Sequence, residues 1–201
     1  MWGSGTAAVA RALFANGGVS MRQIDLAERA RVTQPRVSQA LVVVRRDAEM
    51  ALAGNARDAC NRLAETYSKR FTPRATAADA FWYSLDPLAR QVRAIVEARR
   101  DVVVSADTAA DLLAAWRRPT LTAVYTLTPI DVASLGFVPA EGPGDATIVV
   151  RATDDARLIA EATVMERVPV APLLQVFADL RRLGGSDREE AAQRLLTSAL
   201  T

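Results

Sequence analysis

Two helical patterns separated by only three residues constrain this chain more than any other feature. Ile24, Ala27 and Ala30 recur at helical spacing with Leu26 beside them. After a break at residues 31–33 the pattern resumes with Val37, Ala40, Leu41 and Val44. A chain that leaves one helix and enters another so quickly must fold back on itself. The two apolar faces then share one core, with Ala27 small enough to sit where the helices cross. Local signals agree. Ser20-Met21-Arg22-Gln23 reads as a capping box opening the first of the pair. Thr33 is the expected N-cap of the second, and Pro35 is tolerated in its first turn, where N–H groups lack intrahelical acceptors. A preceding helix is expected over residues 6–16, burying Val9, Leu13 and Phe14 and stopped by Gly17-Gly18.

With Val37, Ala40, Leu41 and Val44 inward, Gln34, Arg36, Ser38 and Gln39 project outward from the start of the second helix. These side-chain types can read DNA: arginine bonds a guanine edge bidentately, glutamine does so with adenine, and Ser38 or Thr33 can bond a phosphate. Arg22 at the start of the pair, and Arg45-Arg46 at its end, suit backbone contacts. The expected partner is double-stranded DNA, entered through the major groove. Charge distribution points the same way. The whole chain carries only +2. Residues 1–74, however, hold twelve basic against six acidic residues (+6), and the remainder thirteen against seventeen (−4).

The run Gln23-Ile24-Asp25-Leu26-Ala27-Glu28-Arg29-Ala30-Arg31-Val32-Thr33-Gln34-Pro35-Arg36-Val37-Ser38-Gln39-Ala40-Leu41 resembles the helix-turn-helix of bacterial winged-helix transcriptional regulators. One position departs: the turn residue that is usually glycine is Arg31, which is expected to take a left-handed conformation costing roughly 1 kcal/mol. Residues 47–55 carry a Gly-Asn turn signal but no β-branched residue, so either a degenerate wing or a short helical connector fits. A further helix over residues 57–67 places Cys60, Leu63, Ala64 and Tyr67 on one side, making Cys60 a core residue.

Composition removes several chemistries. The sequence has no histidine, one cysteine and one lysine, Lys69. That excludes His-based triads, imidazole acid–base work, His-ligated zinc and internal disulfides. No cofactor or metal set is legible, and the chain is expected to bind rather than catalyse. The first sixteen residues lack a signal-peptide pattern and no apolar run is long enough to span a bilayer. A cytoplasmic protein without membrane contact is the expectation.

A linker is expected over residues 71–80, followed by Phe81-Trp82-Tyr83 anchoring a second domain. There a helix is expected over 87–99, a buried strand at 102–104, and a Ser105-capped helix reaching Trp116. Strands are expected over 120–126, 147–152 and 162–170, and a helix over 171–183. After Gly184-Gly185, Ser186-Asp187-Arg188-Glu189 forms a second capping box opening the last helix. The same glycine–serine phrase is found at nucleotidyltransferase sites. A helix break explains it better, because the carboxylates such a site needs to hold magnesium do not follow. Asp154-Asp155 reads as a loop. The fold class is therefore α+β: an N-terminal (winged) helix-turn-helix domain over residues 1–72, then a mixed α/β domain over 73–201.

Three phrases extend the likeness. These are Trp82-Tyr83-Ser84-Leu85-Asp86; Ser105-Ala106-Asp107-Thr108-Ala109-Ala110-Asp111-Leu112-Leu113-Ala114-Ala115-Trp116-Arg117-Arg118-Pro119-Thr120; and Val168-Pro169-Val170-Ala171-Pro172-Leu173-Leu174-Gln175-Val176-Phe177-Ala178-Asp179-Leu180. They resemble two-part actinobacterial regulators in which a winged helix precedes a domain similar to AbiEi-type antitoxins of type IV toxin–antitoxin systems. The resemblance implies an autorepressing regulator that counters a nucleotidyltransferase-type toxin and has no enzymatic activity of its own. Helix-turn-helix proteins commonly bind symmetric half-sites, so a homodimer is a further expectation. The alternatives are a repressor whose second domain senses a small molecule and, more remotely, an enzyme using carboxylates of that domain.

Overall fold

The computed structural model describes residues 1–18 and 21–200. By contact the chain divides into two compact units, Met1–Thr72 with Leu196–Thr201, and Pro73–Leu195.

The first unit is helical: α1 (Ser4–Ala15), α2 (Gln23–Ala30), α3 (Gln34–Asp47) and α4 (Ala56–Arg70). Six of α1's residues are alanine or glycine, and nearly all its side chains are buried, among them Ala7, Ala8, Val9, Leu13 and Phe14. A helix apolar around its whole circumference belongs at the centre, and α2, α3 and α4 all pack on it. Its one cation, Arg11, is buried, with Nη1 donating to the Tyr67 hydroxyl at 3.0 Å and the guanidinium lying 5.9 Å from the centre of the Phe71 ring. Cys60 is fully buried, and that burial pushes its thiol pKa up, as suits a core residue.

In this unit the structure decides between the two readings of residues 47–55, for the short helical connector, and corrects the buried face of α2. After α3 the chain makes a 3₁₀ turn, Met50–Leu52, and enters α4; among the described residues of Met1–Thr72 there is no strand, so no winged hairpin follows α3. Its Ala-, Met- and Leu-rich composition supplies no β-branched side chain to fill a pleated surface, and Asn55 instead caps α4 by accepting from the Asp58 N–H at 2.9 Å. The buried edge of α2 is Leu26 and Ala30, one turn apart, while Ile24 is 61% exposed. At about 100° per residue Ile24 lies some 200° from Leu26, on the opposite side of the helix. The capping box assigned to Ser20 lies outside the described residues; Arg22 occupies the N-cap position of α2.

The second unit is built on one mixed seven-stranded sheet in the order β4-β1-β5-β3-β2-β7-β6. The strands are β1 (Ala80–Tyr83), β2 (Val102–Ser105), β3 (Thr122–Thr126), β4 (Val138–Pro139), β5 (Ile148–Ala152), β6 (Thr163–Met165) and β7 (Val168–Val170). β3 with β5 and β2 with β7 are parallel, and the other pairs antiparallel. Helices α5 (Leu88–Ala98), α6 (Ala106–Leu113), α7 (Ala156–Ala160), α8 (Leu173–Leu183) and α9 (Ser186–Ala199) complete the element order. Val92 and Ile95 of α5 cluster with Val102, Val104, Val124, Ile148 and Val150 of the sheet. Ala106 of α6, Ala123 and Val149 form a second, smaller cluster against which Phe81 and Leu183 pack.

Five local readings change here. The stretch at 162–170 is a hairpin, because Glu166 and Arg167 both take positive φ and turn the chain between β6 and β7. α6 stops at Leu113, short of Trp116. Ser105 stands at its N-cap position but donates instead to Asp179 Oδ2 at 2.6 Å. α9 takes its first turn from Gly185, whose carbonyl accepts from the Glu189 N–H at 3.0 Å, so Ser186 is inside the helix and not its cap. The expected linker is also partly docked: Ala75 bridges to Thr153, and the Thr76 N–H donates to the Ala152 carbonyl at 2.9 Å.

Candidate nucleic-acid interface

The geometry of α2 and α3 is set by how α2 ends. Arg31 takes the left-handed conformation at φ 50°, ψ 46°. Its N–H donates to the Glu28 carbonyl at 3.2 Å, and the next N–H, of Val32, reaches back to Ala27 at 3.0 Å. This six-to-one bond closes the helix in a Schellman motif. Such a turn favours glycine, so Arg31 holds it at a local cost of roughly 1 kcal/mol. Thr33 follows in extended backbone at the N-cap of α3, its carbonyl accepting from the Val37 N–H at 3.0 Å, though its hydroxyl makes no capping bond. Pro35 lies in the first turn.

Val37, Ala40, Leu41 and Val44 are buried, and the opposite side of α3 faces solvent. All eight sequence-predicted residues, Arg22, Thr33, Gln34, Arg36, Ser38, Gln39, Arg45 and Arg46, are exposed. Their electrostatic settings differ. Arg22 is held by Asp25 of its own helix through two hydrogen bonds, Nε to Oδ2 at 2.8 Å and Nη2 to Oδ1 at 2.9 Å. That hydrogen bonding and charge raise the guanidinium pKa further. Arg46 pairs with its neighbour Asp47 at 2.7 Å. Asp47 also accepts from the Trp2 indole at 2.9 Å, and the Trp2 hydrogen bond, then Arg46, hold its carboxyl below the usual range. Arg45 is exposed and makes no ion pair with any described residue. Arg36 is turned aside: a methyl group on Gly5 would lie 3.3 Å from its Nε, so its side chain rests against the start of α1.

One residue that sequence reasoning passed over stands on the same surface. Val42 is 67% exposed in the middle of α3's polar face. Its position three residues beyond Gln39 and four beyond Ser38 was the available signal.

The second unit carries two buried polar clusters. Asp179 of α8 is fully buried and accepts from Ser105 Oγ at 2.6 Å, Tyr125 Oη at 2.8 Å, Gln175 Nε2 at 3.2 Å, Arg151 Nη1 at 3.0 Å and Arg182 Nη1 at 2.7 Å. Burial, then the Asp179 charge, pushes the Tyr125 hydroxyl well above its ordinary pKa. Asp107 of α6 is bound by Arg188 and Arg117 and by the N–H groups of Thr120 and Leu121. Burial alone would raise its pKa, but the hydrogen bonds and charge of Arg188, with those N–H groups, bring it below the usual value. Each carboxylate is already satisfied by protein donors. Among the described residues no group of three or more metal-ligating side chains converges, and no helix is long and apolar enough to cross a membrane.

No family model, no curated protein and no solved structure matches this chain.

Proposed function

We propose that the chain is a sequence-specific DNA-binding regulator whose α2–α3 pair acts as a helix-turn-helix, with α3 entering the major groove. The observation that carries this reading is the solvent face of α3. It offers Gln34, Ser38, Gln39, Arg45 and Arg46, with no acidic residue before Asp47, while the opposite face is packed. Gln34, Ser38 and Gln39 supply hydrogen-bonding groups for base edges, and Arg45 supplies an uncommitted cation for a phosphate. Arg22 and Arg46 exchange their neighbouring carboxylates for phosphates on binding, at little cost because exposed ion pairs contribute little.

The acidic second unit is the partner-binding part in this reading. The resemblance of its phrases to AbiEi-type antitoxins supports a nucleotidyltransferase-type toxin as that partner, and an autorepressing, non-catalytic role. The DNA half is tested by selecting bound sequences from a random duplex pool and titrating the enriched duplex at several salt concentrations. An enriched sequence bound with affinity that falls steeply with salt is expected, each neutralised phosphate adding roughly −0.9 to the log–log slope. Weak binding without enrichment or salt dependence overturns it. Co-expression with the product of a toxin-like reading frame beside the gene tests the other half: relief of toxicity is expected, and its persistence argues against an antitoxin.

A further inference from the structure

Helical spacing and burial divide the outer surface of α3 into a groove-facing stripe and a flank. At about 100° per residue, Gln39 and Val42 lie on the side opposite Val37, Ala40, Leu41 and Val44, with Ser38 at the edge of that stripe. Arg36 falls roughly a quarter turn from the buried side, and its guanidinium reaches back to Gly3 and Gly5 at the start of α1. Resting on the DNA-binding reading, we propose that bases are read by Ser38, Gln39 and Val42, with the Val42 isopropyl group packed on a thymine methyl, and that Arg36 holds a backbone phosphate.

The chemistry favours this division. A β-branched apolar side chain at 67% exposure, flanked on its own face by Gln39 and Arg46, contributes nothing to the core. In the major groove the thymine C5-methyl is the one apolar feature a base pair presents, and contact with it discriminates thymine from cytosine without any hydrogen bond. Arg36, lying against Gly3 and Gly5 at the start of α1, adds its positive charge to a helix end that has no acidic residue in its first turn. Two like-signed partners there favour a phosphate over a base edge.

The test uses the full chain and the duplex enriched from a random pool, with each thymine replaced singly by deoxyuridine so that only a methyl group is removed. Wild type should lose about fourfold in affinity at one thymine per half-site, the worth of one buried methyl group. In Val42→Ala that penalty should fall below twofold, and reselection should relax thymine preference at the same position. Val42→Thr, which keeps one methyl group, should lie between. Arg36→Ala should weaken every duplex by a common factor and flatten the salt slope by about 0.9. An unchanged deoxyuridine profile in Val42→Ala, or a base preference lost at one position in Arg36→Ala, overturns the division while leaving DNA binding intact. Failure of wild type to enrich any sequence removes the DNA-binding reading, and this inference with it. Thermal melting of each variant separates loss of contact from loss of fold.

Discussion

Arg188 grips Asp107 with two parallel hydrogen bonds, Nε to Oδ1 at 2.8 Å and Nη2 to Oδ2 at 3.1 Å, joining the first turn of α9 to the first turn of α6. Because Asp107 is buried, an asparagine there can keep one oxygen for the N–H groups of Thr120 and Leu121 but turns its NH2 on Arg188 and removes the charge that neutralises it. Asp107→Asn should cost about 3 kcal/mol in urea unfolding, the lower end for breaking a buried pair because Arg188 retains some solvent contact. The pH dependence has a fixed sign. Asp107 has a lowered pKa in the folded chain, so its contribution is present above the unfolded value of about 3.9 and is lost as pH falls through the folded one. Wild type should therefore lose more stability than Asp107→Asn between neutral pH and acid.

Tyr125 and Asp179 give a second comparison. Tyr125→Phe removes one of several donors to Asp179 and should cost about 1 kcal/mol, whereas Asp179→Ala leaves the buried Arg151 with Asp79 as its remaining carboxylate and should cost about 3 kcal/mol. The raised Tyr125 pKa makes its contribution complete below the unfolded value near 10 and lost as pH rises beyond it. Ultraviolet titration should show a phenol ionising well above pH 10 that is missing from Tyr125→Phe.

Backbone strain can be tested at Ala106, which takes φ 61° as the first residue of α6, directly after β2, while its side chain packs with Ala123 and Val149. Ala106→Gly relieves the left-handed strain but removes a buried methyl group, and should change stability by less than about 1 kcal/mol. Ala106→Val combines a β-branched residue at positive φ with overpacking, and should cost about 3 kcal/mol or more in denaturant melts.

Gly18 has a steric reason to be glycine besides its φ of 70°: an added Cβ would stand 2.8 Å from Cys60 Sγ. Gly18→Ala should destabilise by about 2 kcal/mol, combining left-handed strain with the clash. Pairing it with Cys60→Ala should recover part of that loss, so the two changes should be non-additive in a double-mutant cycle.

Arg45→Ala should weaken binding to all duplexes nearly equally and reduce the salt slope by about 1, measured by fluorescence anisotropy at several ionic strengths. Stability should hardly change, because Arg45 is exposed and makes no ion pair with a described residue.

Much of the first unit was legible because its signals are local. The spacing of Val37, Ala40, Leu41 and Val44 marks the buried face of α3, and that face is buried as the spacing required. Arg31 in the turn implied a left-handed residue, and the φ of 50° there is the consequence. The readings that failed depended on partners distant in sequence. Ser105 looks like a helix cap until Asp179, 74 residues away, takes its hydroxyl. Ile24 looks buried by periodicity until Leu26 and Ala30 occupy the contact. The strand at 162–170 hid a hairpin because neither Glu166 nor Arg167 advertises positive φ as glycine or asparagine does.

By itself the sequence determined the three-residue break between α2 and α3, the buried stripe of α3, the absence of histidine chemistry, and the division into a basic and an acidic half. These follow from properties each residue carries along the chain: side-chain polarity, helical period and charge. Only the tertiary structure decided that Arg36 turns toward Gly5, that Val42 stands out on the polar face, that Asp179 gathers donors from three strands and its own helix, and that no wing follows α3 among the described residues. Those outcomes depend on which groups distant in sequence compete for the same space and the same hydrogen bonds, and that competition is resolved only when the elements pack.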